Sequence, residues 1–375
     1  MTRKEEQSLS KQGVILPLQG IRAIASGGVI LSHTGIAQFS SLGVWGVSVF
    51  LILSGFLMVL NYYDTERIEK TSIRSNLGFA VSKVKNLYPL HIVMMLSAVL
   101  FEIHNAQGSW NAMLFRKVFV NVFLLQSFVP DSTVYFSLNA VAWYLSVSVF
   151  TYFCFPWVLK LLKKCQDSRS AIKGIIVVFI FQIIVCYGSS FVNLPFSNGF
   201  TKWFVYVFPG TRLIDFIIGC YAGVLFLKNH NSRKINYWIE FISIAFIVIA
   251  QIIFTRFNPS DADRIHSELW WRYTVIFTLS NASLIYCIAF GENGLIAKIL
   301  SSKMLVWIGN ISAYTFLIHQ MVIRYIDVIV KRVVMDGTVL KILIKIVIPF
   351  VLTILVSECW KKVVTNIRLQ NRGKI

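Results

Sequence analysis

Arg22 and His33 lie eleven positions apart within one apolar run. Eleven helical steps of about 100° end roughly 20° past three full turns, so both side chains fall on one stripe, about 16 Å apart along the axis. Counted from Val14, Arg22 is about 12 Å into the run and His33 about 28 Å. An imidazole with a pKa of about 6.5 takes up and returns protons near neutral pH. A guanidinium stays charged and holds phosphate or developing negative charge. The residues between them include Ala23, Ala25, Ser26, Gly27 and Gly28, small enough for a neighbouring helix or a long thin ligand to come close. The pair on one stripe is read as a functional site. The structural alternative is a buried Arg with a carboxylate partner and an unrelated interfacial His.

Other ionisable residues interrupt apolar runs at Arg212 and Asp215, at His319 and Arg324, and at Lys341 and Lys345. Arg212 and Asp215 are three apart and can neutralise each other on one helix, a packing role. His319 either donates to a backbone carbonyl or lines a cavity. Gly219 and Gly223 form a small-xxx-small step for helix packing. Six cysteines are scattered without CxxC spacing, so neither a zinc site nor a disulfide framework is expected, and no metal ligand set stands out. Nor is there a G-x-S-x-G elbow.

The elements that must carry these residues follow from composition. Of 375 residues, 56% are hydrophobic and 14% charged, against about 25% charged in soluble chains. Mean hydropathy is +0.67 over the whole length. An all-α polytopic membrane bundle is the reading. Ten apolar runs have spanning length: 14–38, 43–63, 87–103, 139–160, 174–192, 204–227, 237–255, 271–290, 304–330 and 339–360. An eleventh, Val118 to Val129, has 12 residues and ends at Pro130, which suits a re-entrant or interfacial segment. Trp45, Trp110, Trp203, Trp270 and Trp271 fall near run ends, as an aromatic belt would.

The net charge of +19 is read as topology rather than nucleic-acid binding. With ten spans and a cytoplasmic N-terminus, 23 basic residues fall inside and 7 outside. Letting 113–129 span gives 13 inside and 15 outside, so the positive-inside rule favours ten spans with both ends cytoplasmic. Residues 1–13 are then a cytoplasmic tail, 14–360 one membrane domain and 361–375 a basic cytoplasmic tail. The apolar stretch before Ala23–Ala25 is too short for a signal-peptide core, so residue 1 onward is expected to be mature. No internal repeat is evident, which weighs against a two-halved transporter.

Six segments in chain order carry a family resemblance. Arg22 through His33 give R-x10-H. Gly43-Val-Trp-Gly-Val-Ser-Val-Phe-Leu-Ile-Leu-Ser54-Gly55-Phe56 follows. Then come Lys83-Val-Lys85-Asn-Leu-Tyr88-Pro89-Leu90, Trp143-Tyr-Leu-Ser146-Val-Ser148, Arg212-Leu-Ile-Asp215-Phe-Ile-Ile-Gly219 and Ile308-Gly309-Asn-Ile-Ser312-Ala-Tyr314-Thr-Phe-Leu-Ile-His319. Together these resemble the acyltransferase-3 family of integral membrane O-acyltransferases over roughly 14–325. Two positions depart from that pattern. The second arginine of the basic motif falls on Asn86, with Lys85 beside it, and the glutamate after the tryptophan falls on Ser148.

The resemblance implies transfer of an acyl group, acetyl first, from cytoplasmic acyl-CoA to a hydroxyl of a cell-envelope or exported polysaccharide or glycolipid, in a bacterial plasma membrane. It implies a stand-alone membrane domain without the esterase-like domain fused to some members. Acetyl-CoA is a co-substrate, and no tightly bound cofactor is expected. His33 would be the general base and Arg22 would contact the donor or steady negative charge. Lys83, Lys85 and Tyr88 would receive the nucleotide end, with the lysines acting as point charges. Ser54, Trp143, Ser146, Arg212, Asp215 and His319 would support substrate or structure. The acceptor would enter from outside, where the segment Asn258 to Glu268 either offers sugar-compatible hydrogen-bonding groups or is a plain solvated loop. A homodimer is possible, and an acyl-histidine intermediate stays open. The rival reading is a carrier or flippase for a sugar or acylated substrate, in which Arg22 and His33 line a pathway.

Overall fold

The computed structural model describes residues 15–65, 68, 71–105, 111–192, 200–229, 238–256, 270–290, 294–333 and 339–372. Every regular element among them is helical. The main helices are α1 (Leu16–Ser32), α2 (Ser40–Tyr62), α3 (Ile73–Val84), α4 (Tyr88–Asn105), α5 (Ala112–Val122), α6 (Trp143–Leu162), α7 (Ser168–Gly188), α8 (Pro209–Asn229), α9 (Trp238–Arg256), α10 (Val275–Ala289), α11 (Lys303–Val333) and α12 (Val339–Arg372).

Local sequence sets where they start. Pro17 opens α1 with its φ already helical. Ser72 and Ser75 cap each other's backbone N–H at the start of α3, and Asn111 and Asp167 accept the Leu114 and Ser170 N–H groups at α5 and α7. Ser170 also holds the Asp167 carboxyl below its ordinary pKa through hydrogen bonds. A π-helical turn, Trp203–Val207, leads into α8.

Among the described residues seven helical stretches are long and apolar enough to cross a membrane, and α3 with α4, bent by 69°, makes an eighth if the pair is one broken span. The protein is therefore a multi-pass membrane protein. Three of the ten expected spans fall outside the seven. The run 14–38 yields α1 with only 17 residues, about 26 Å. The run 271–290 yields α10 with 15, about 22 Å, against a hydrocarbon core of about 30 Å. The run 87–103 is α4 of the bent pair. The eleventh run becomes α5, eleven residues long and about 16 Å. Leu124, at φ 54°, ends it in the left-handed region, and a 3-10 turn, Gln126–Phe128, follows. α12 continues without a break to Arg372, past the expected end at 360.

Burial sorts the helices into centre and rim. The spanning stretches holding α2 and α8 are 78% buried, those of α7 and α12 only 17%. Ile176, Val177, Ile180 and Ile184 of α7 and Val351, Leu352 and Leu355 of α12 are exposed, and such outward apolar faces meet lipid. α1 packs on α2 and α11, and α2 on α8. Backbone contact makes these crossings close. A Cβ on Gly219 would strike the Ile52 carbonyl, and one on Gly309 would strike that of Gln19. Trp45 and Trp203 are corrected from belt to core: they are buried and donate to Asn281 and to the Ser127 carbonyl, at 2.9 and 3.0 Å. Trp110 and the loop Asn258 to Glu268 lie outside the described residues.

Candidate active site

α1 ends where its chemistry begins. His33 is its C-cap at φ −96°, ψ 0°, and Gly35 at φ 80° turns the chain toward α2. Two turns earlier the Ser26 hydroxyl meets the Thr315 hydroxyl at 2.6 Å, tying α1 to α11. One turn beyond Thr315 stands His319, fully buried. The rings of His33 and His319 meet edge to face with centroids 5.0 Å apart, and His319 Nε2 lies 3.4 Å from His33 Nδ1.

Hydrogen bonding decides the tautomers. A carbonyl only accepts, so His33 Nδ1–H donates to the Val29 carbonyl at 2.8 Å and His319 Nδ1–H donates to that of Thr315 at 3.1 Å. In the neutral rings both Nε2 atoms then keep lone pairs. The one on His319 shares the His33 Nδ1 proton. The one on His33 belongs to a ring that is exposed and lines a cavity of about 250 Å³. An imidazole oriented in this way is a competent proton acceptor.

That cavity lies at the C-terminal end of α1, with Trp143, Lys202, Tyr206, Arg272 and Phe316 among its walls. A second cavity, about 120 Å³, is lined by Arg22, Ser54, Lys83, Tyr144, Tyr152 and Phe316. Arg22 Nη1 reaches Gln19 Oε1 at 3.4 Å. The Ser54 and Tyr152 hydroxyls meet at 2.9 Å. Lys83 donates to the Tyr62 hydroxyl and lies over the Tyr62 and Phe79 rings at 4.3 and 4.9 Å. Arg22 and His33 thus share a helix face but open into different cavities. Phe316, packed at 5.9 Å from Phe50 and 5.0 Å from Tyr144, is a wall of both.

The structure gathers Arg22, Ser54 and Lys83 at one cavity and His33, His319 and Trp143 at or beside the other. It leaves the remaining candidates elsewhere. Lys85 is exposed and lines neither cavity, because two helical steps from Lys83 turn it by about 200°, nearly to the opposite face. The Tyr88 hydroxyl donates to the Val122 carbonyl at 2.8 Å, bracing α4 against the end of α5. Ser146 is buried away from both cavities, while Ser148, at the position of the family's glutamate, does line the smaller one. Arg212 and Asp215 form a fully buried 2.9 Å ion pair. Gln182 and Thr278 also donate to Asp215, at 2.7 and 3.1 Å. These contacts tie α8 to α7 and α10. Arg324 donates to the Leu138 carbonyl at 2.8 Å and pairs with Glu102 at 3.4 Å. Lys345 pairs with Asp327 at 3.2 Å, and the Lys341 side chain lies outside the described residues. Tyr144, Tyr152 and Phe316 gave no spacing signal, since aromatic residues are common in every apolar run, whereas Arg272 interrupts the run 271–290 and that charge could have marked it.

The sequence matches the acyltransferase domain family over residues 16–358, and the chain belongs to that acyltransferase-3 family. It is 25% identical over 327 residues to the O-acetyltransferase OatA of Staphylococcus aureus (strain NCTC 8325 / PS 47), covering 83% of this chain and 51% of OatA. It is also 25% identical over 305 residues to the acyltransferase MdmB of Streptomyces mycarofaciens, covering 78% of this chain and 71% of MdmB. The chain thus spans about half the length of OatA. No solved structure matches it.

Proposed function

We propose that the chain is an O-acyltransferase that moves acetyl from cytoplasmic acetyl-CoA to a hydroxyl of a cell-envelope or exported glycan. The observation that carries the reading is the His33–His319 pair: one imidazole contacts Nδ1 of the other, and that second ring lines a cavity. Family membership and the O-acetyltransferase name of a relative supply the acyl chemistry.

The positive-inside count sets the N-terminal end of α1 toward the cytoplasm. The cavity holding Arg22 and Lys83 is then the donor side, with two cations for the phosphates of coenzyme A. The cavity holding His33 is the acceptor side. His33 Nε2 takes the proton as the acceptor oxygen bonds to the thioester carbon, the carbon–sulfur bond breaks, and the proton passes on to the departing thiolate. His319 keeps His33 in the productive tautomer, a positioning task. Arg22 acts on the donor, because it lines the other cavity. Phe316 stands between the two sides and limits water at the thioester.

The test measures thiol release from acetyl-CoA by membrane vesicles with and without envelope glycan from the host. Release that depends on the glycan, carries label into it, and disappears in His33→Ala and Arg22→Ala at normal membrane abundance is the expected outcome. Glycan movement without consumption of acetyl-CoA would favour the carrier reading instead.

A further inference from the structure

α3 presents four kinds of surface in order around its axis. At 100° per residue, Phe79 and Lys83 fall together on one side. Phe79 stacks on Phe155 of α6 at 5.9 Å, and Lys83 lines the smaller cavity. Asn76 and Ala80 come next and are buried. Then come Ile73, Leu77 and Val81, spaced i, i+4, i+8 within a sector of about 80°. They are 72, 51 and 51% exposed. Arg74 and Lys85 stand within about 40° of Val81, and Ser82 and Ser75 lie further round. All four of these are exposed.

Bundle face, apolar row, cations, serines: this is the order required of a helix that lies in a membrane surface with one side against protein. The apolar row reaches the acyl chains, the cations sit at headgroup depth and the serines meet water. The backbone agrees. α4 has 18 residues, about 27 Å, and its Val93, Leu96 and Leu100 are exposed as on a lipid-facing helix. With α4 near the bilayer normal, the 69° bend lays α3 close to the membrane plane. No Asp or Glu occurs between Thr71 and Phe101, so the charge of this stretch suits negative headgroups.

We propose that α3 is an in-plane anchor on an anionic lipid surface: Ile73, Leu77 and Val81 enter one leaflet, Arg74 and Lys85 hold its headgroups, and this contact keeps Lys83 at the smaller cavity. The lipid then sets the position of a donor-binding side chain on the far side of the same helix. That last link, and the placing of α3 at the cytoplasmic leaflet, rest on the acyl-transfer reading and its orientation. The lipid contact itself rests on the helix alone.

The full chain, in a cysteine-free background, takes a nitrobenzoxadiazole label at Leu77→Cys, Val81→Cys, Ser75→Cys or Ser82→Cys. It is placed in vesicles of phosphatidylcholine and phosphatidylglycerol. Aqueous iodide should quench the labels at 77 and 81 several-fold less than those at 75 and 82. A doxyl group near the lipid headgroup should quench 77 and 81 more than one at the chain end. Doxyl-phosphatidylglycerol should quench position 77 more than doxyl-phosphatidylcholine does, and Arg74→Gln with Lys85→Gln should remove that difference. Equal iodide quenching at all four positions overturns the proposal. Stronger quenching from the chain end also overturns it, because α3 would then be half of a broken span. Shielding from iodide without quenching by either lipid overturns it in favour of a second protein or a second copy on this row, and equal quenching by the two lipid classes overturns the anionic preference. Leu77→Gln with Val81→Gln leaves the buried face intact and should weaken coenzyme A binding about tenfold, the order of one lost charge-assisted contact. In a Lys83→Met background the same pair should cost nothing further; an equal loss there overturns the link to Lys83. If the wild type binds no coenzyme A, the donor reading fails while the quenching pattern still decides the anchor.

Discussion

A base must keep its lone pair, and at His33 three neighbours of Nδ1 decide which nitrogen keeps it. The Val29 carbonyl, the Ser32 hydroxyl and His319 Nε2 all face Nδ1, at 2.8, 3.2 and 3.4 Å, so Nε2 is left for chemistry. Replacing His319 by Ala removes one of the three and opens space behind the ring. The expected result is a fall in kcat of about ten- to a hundredfold, the cost common for lost supporting groups, with KM for acetyl-CoA unchanged. His319→Gln, whose amide oxygen can accept from His33, should recover part of the rate. Steady-state kinetics on both variants check this. Arg22 and His33 were legible in the sequence because a period of eleven puts them on one stripe, and His319 because it interrupts an apolar run. Their separation into two cavities was not legible. It depends on Phe316, an aromatic residue with nothing in its sequence context to mark it. Lys85 lines neither cavity, because basic residues two apart look like one cluster in a sequence yet face apart on a helix.

At the scale of elements, α1 and α11 must cross at close range for the two histidines to meet. Gly309 against the Gln19 carbonyl permits that approach. Gly309→Ala forces the helices apart, and overpacking of this kind costs about 1–3 kcal/mol. A lower melting temperature in detergent, with a larger fractional loss of transfer than of acetyl-CoA binding, is the expected outcome. Phe316 belongs to α11 as well and walls both cavities. Phe316→Ala should join them and raise hydrolysis of acetyl-CoA relative to transfer, measured as thiol release without glycan. The helical elements were legible from apolar run length. The short α10 and the 69° bend between α3 and α4 were not. Run length counts apolar residues, whereas the helix end and the bend are set by local backbone geometry and by packing on neighbours.

For the whole molecule, the proposed reading gives the charge imbalance and the two cavities one direction of traffic. On that reading a cytoplasmic donor is held at Arg22 and Lys83, an acceptor meets His33 from the other side, and the thioester reaches the acceptor beside Phe316. This predicts that single cysteines placed at positions 163–167 and 230–236, in a cysteine-free background, react with membrane-impermeant maleimide only after the cells are opened. Labelling in intact cells would reverse the orientation. Among the described residues seven or eight helical stretches qualify as spans by length and composition, against ten apolar runs in the sequence, because α1 and α10 are short helices.

The central claim is that His33 is the base that carries acetyl transfer, and one measurement addresses it most directly. Membranes holding equal amounts of wild type and His33→Ala are incubated with radiolabelled acetyl-CoA and the host's envelope glycan, and label in the glycan is counted. The account predicts incorporation by the wild type and a loss of about 10²–10⁴-fold in the variant, the range for a missing general base. Equal labelling by the two proteins would contradict it.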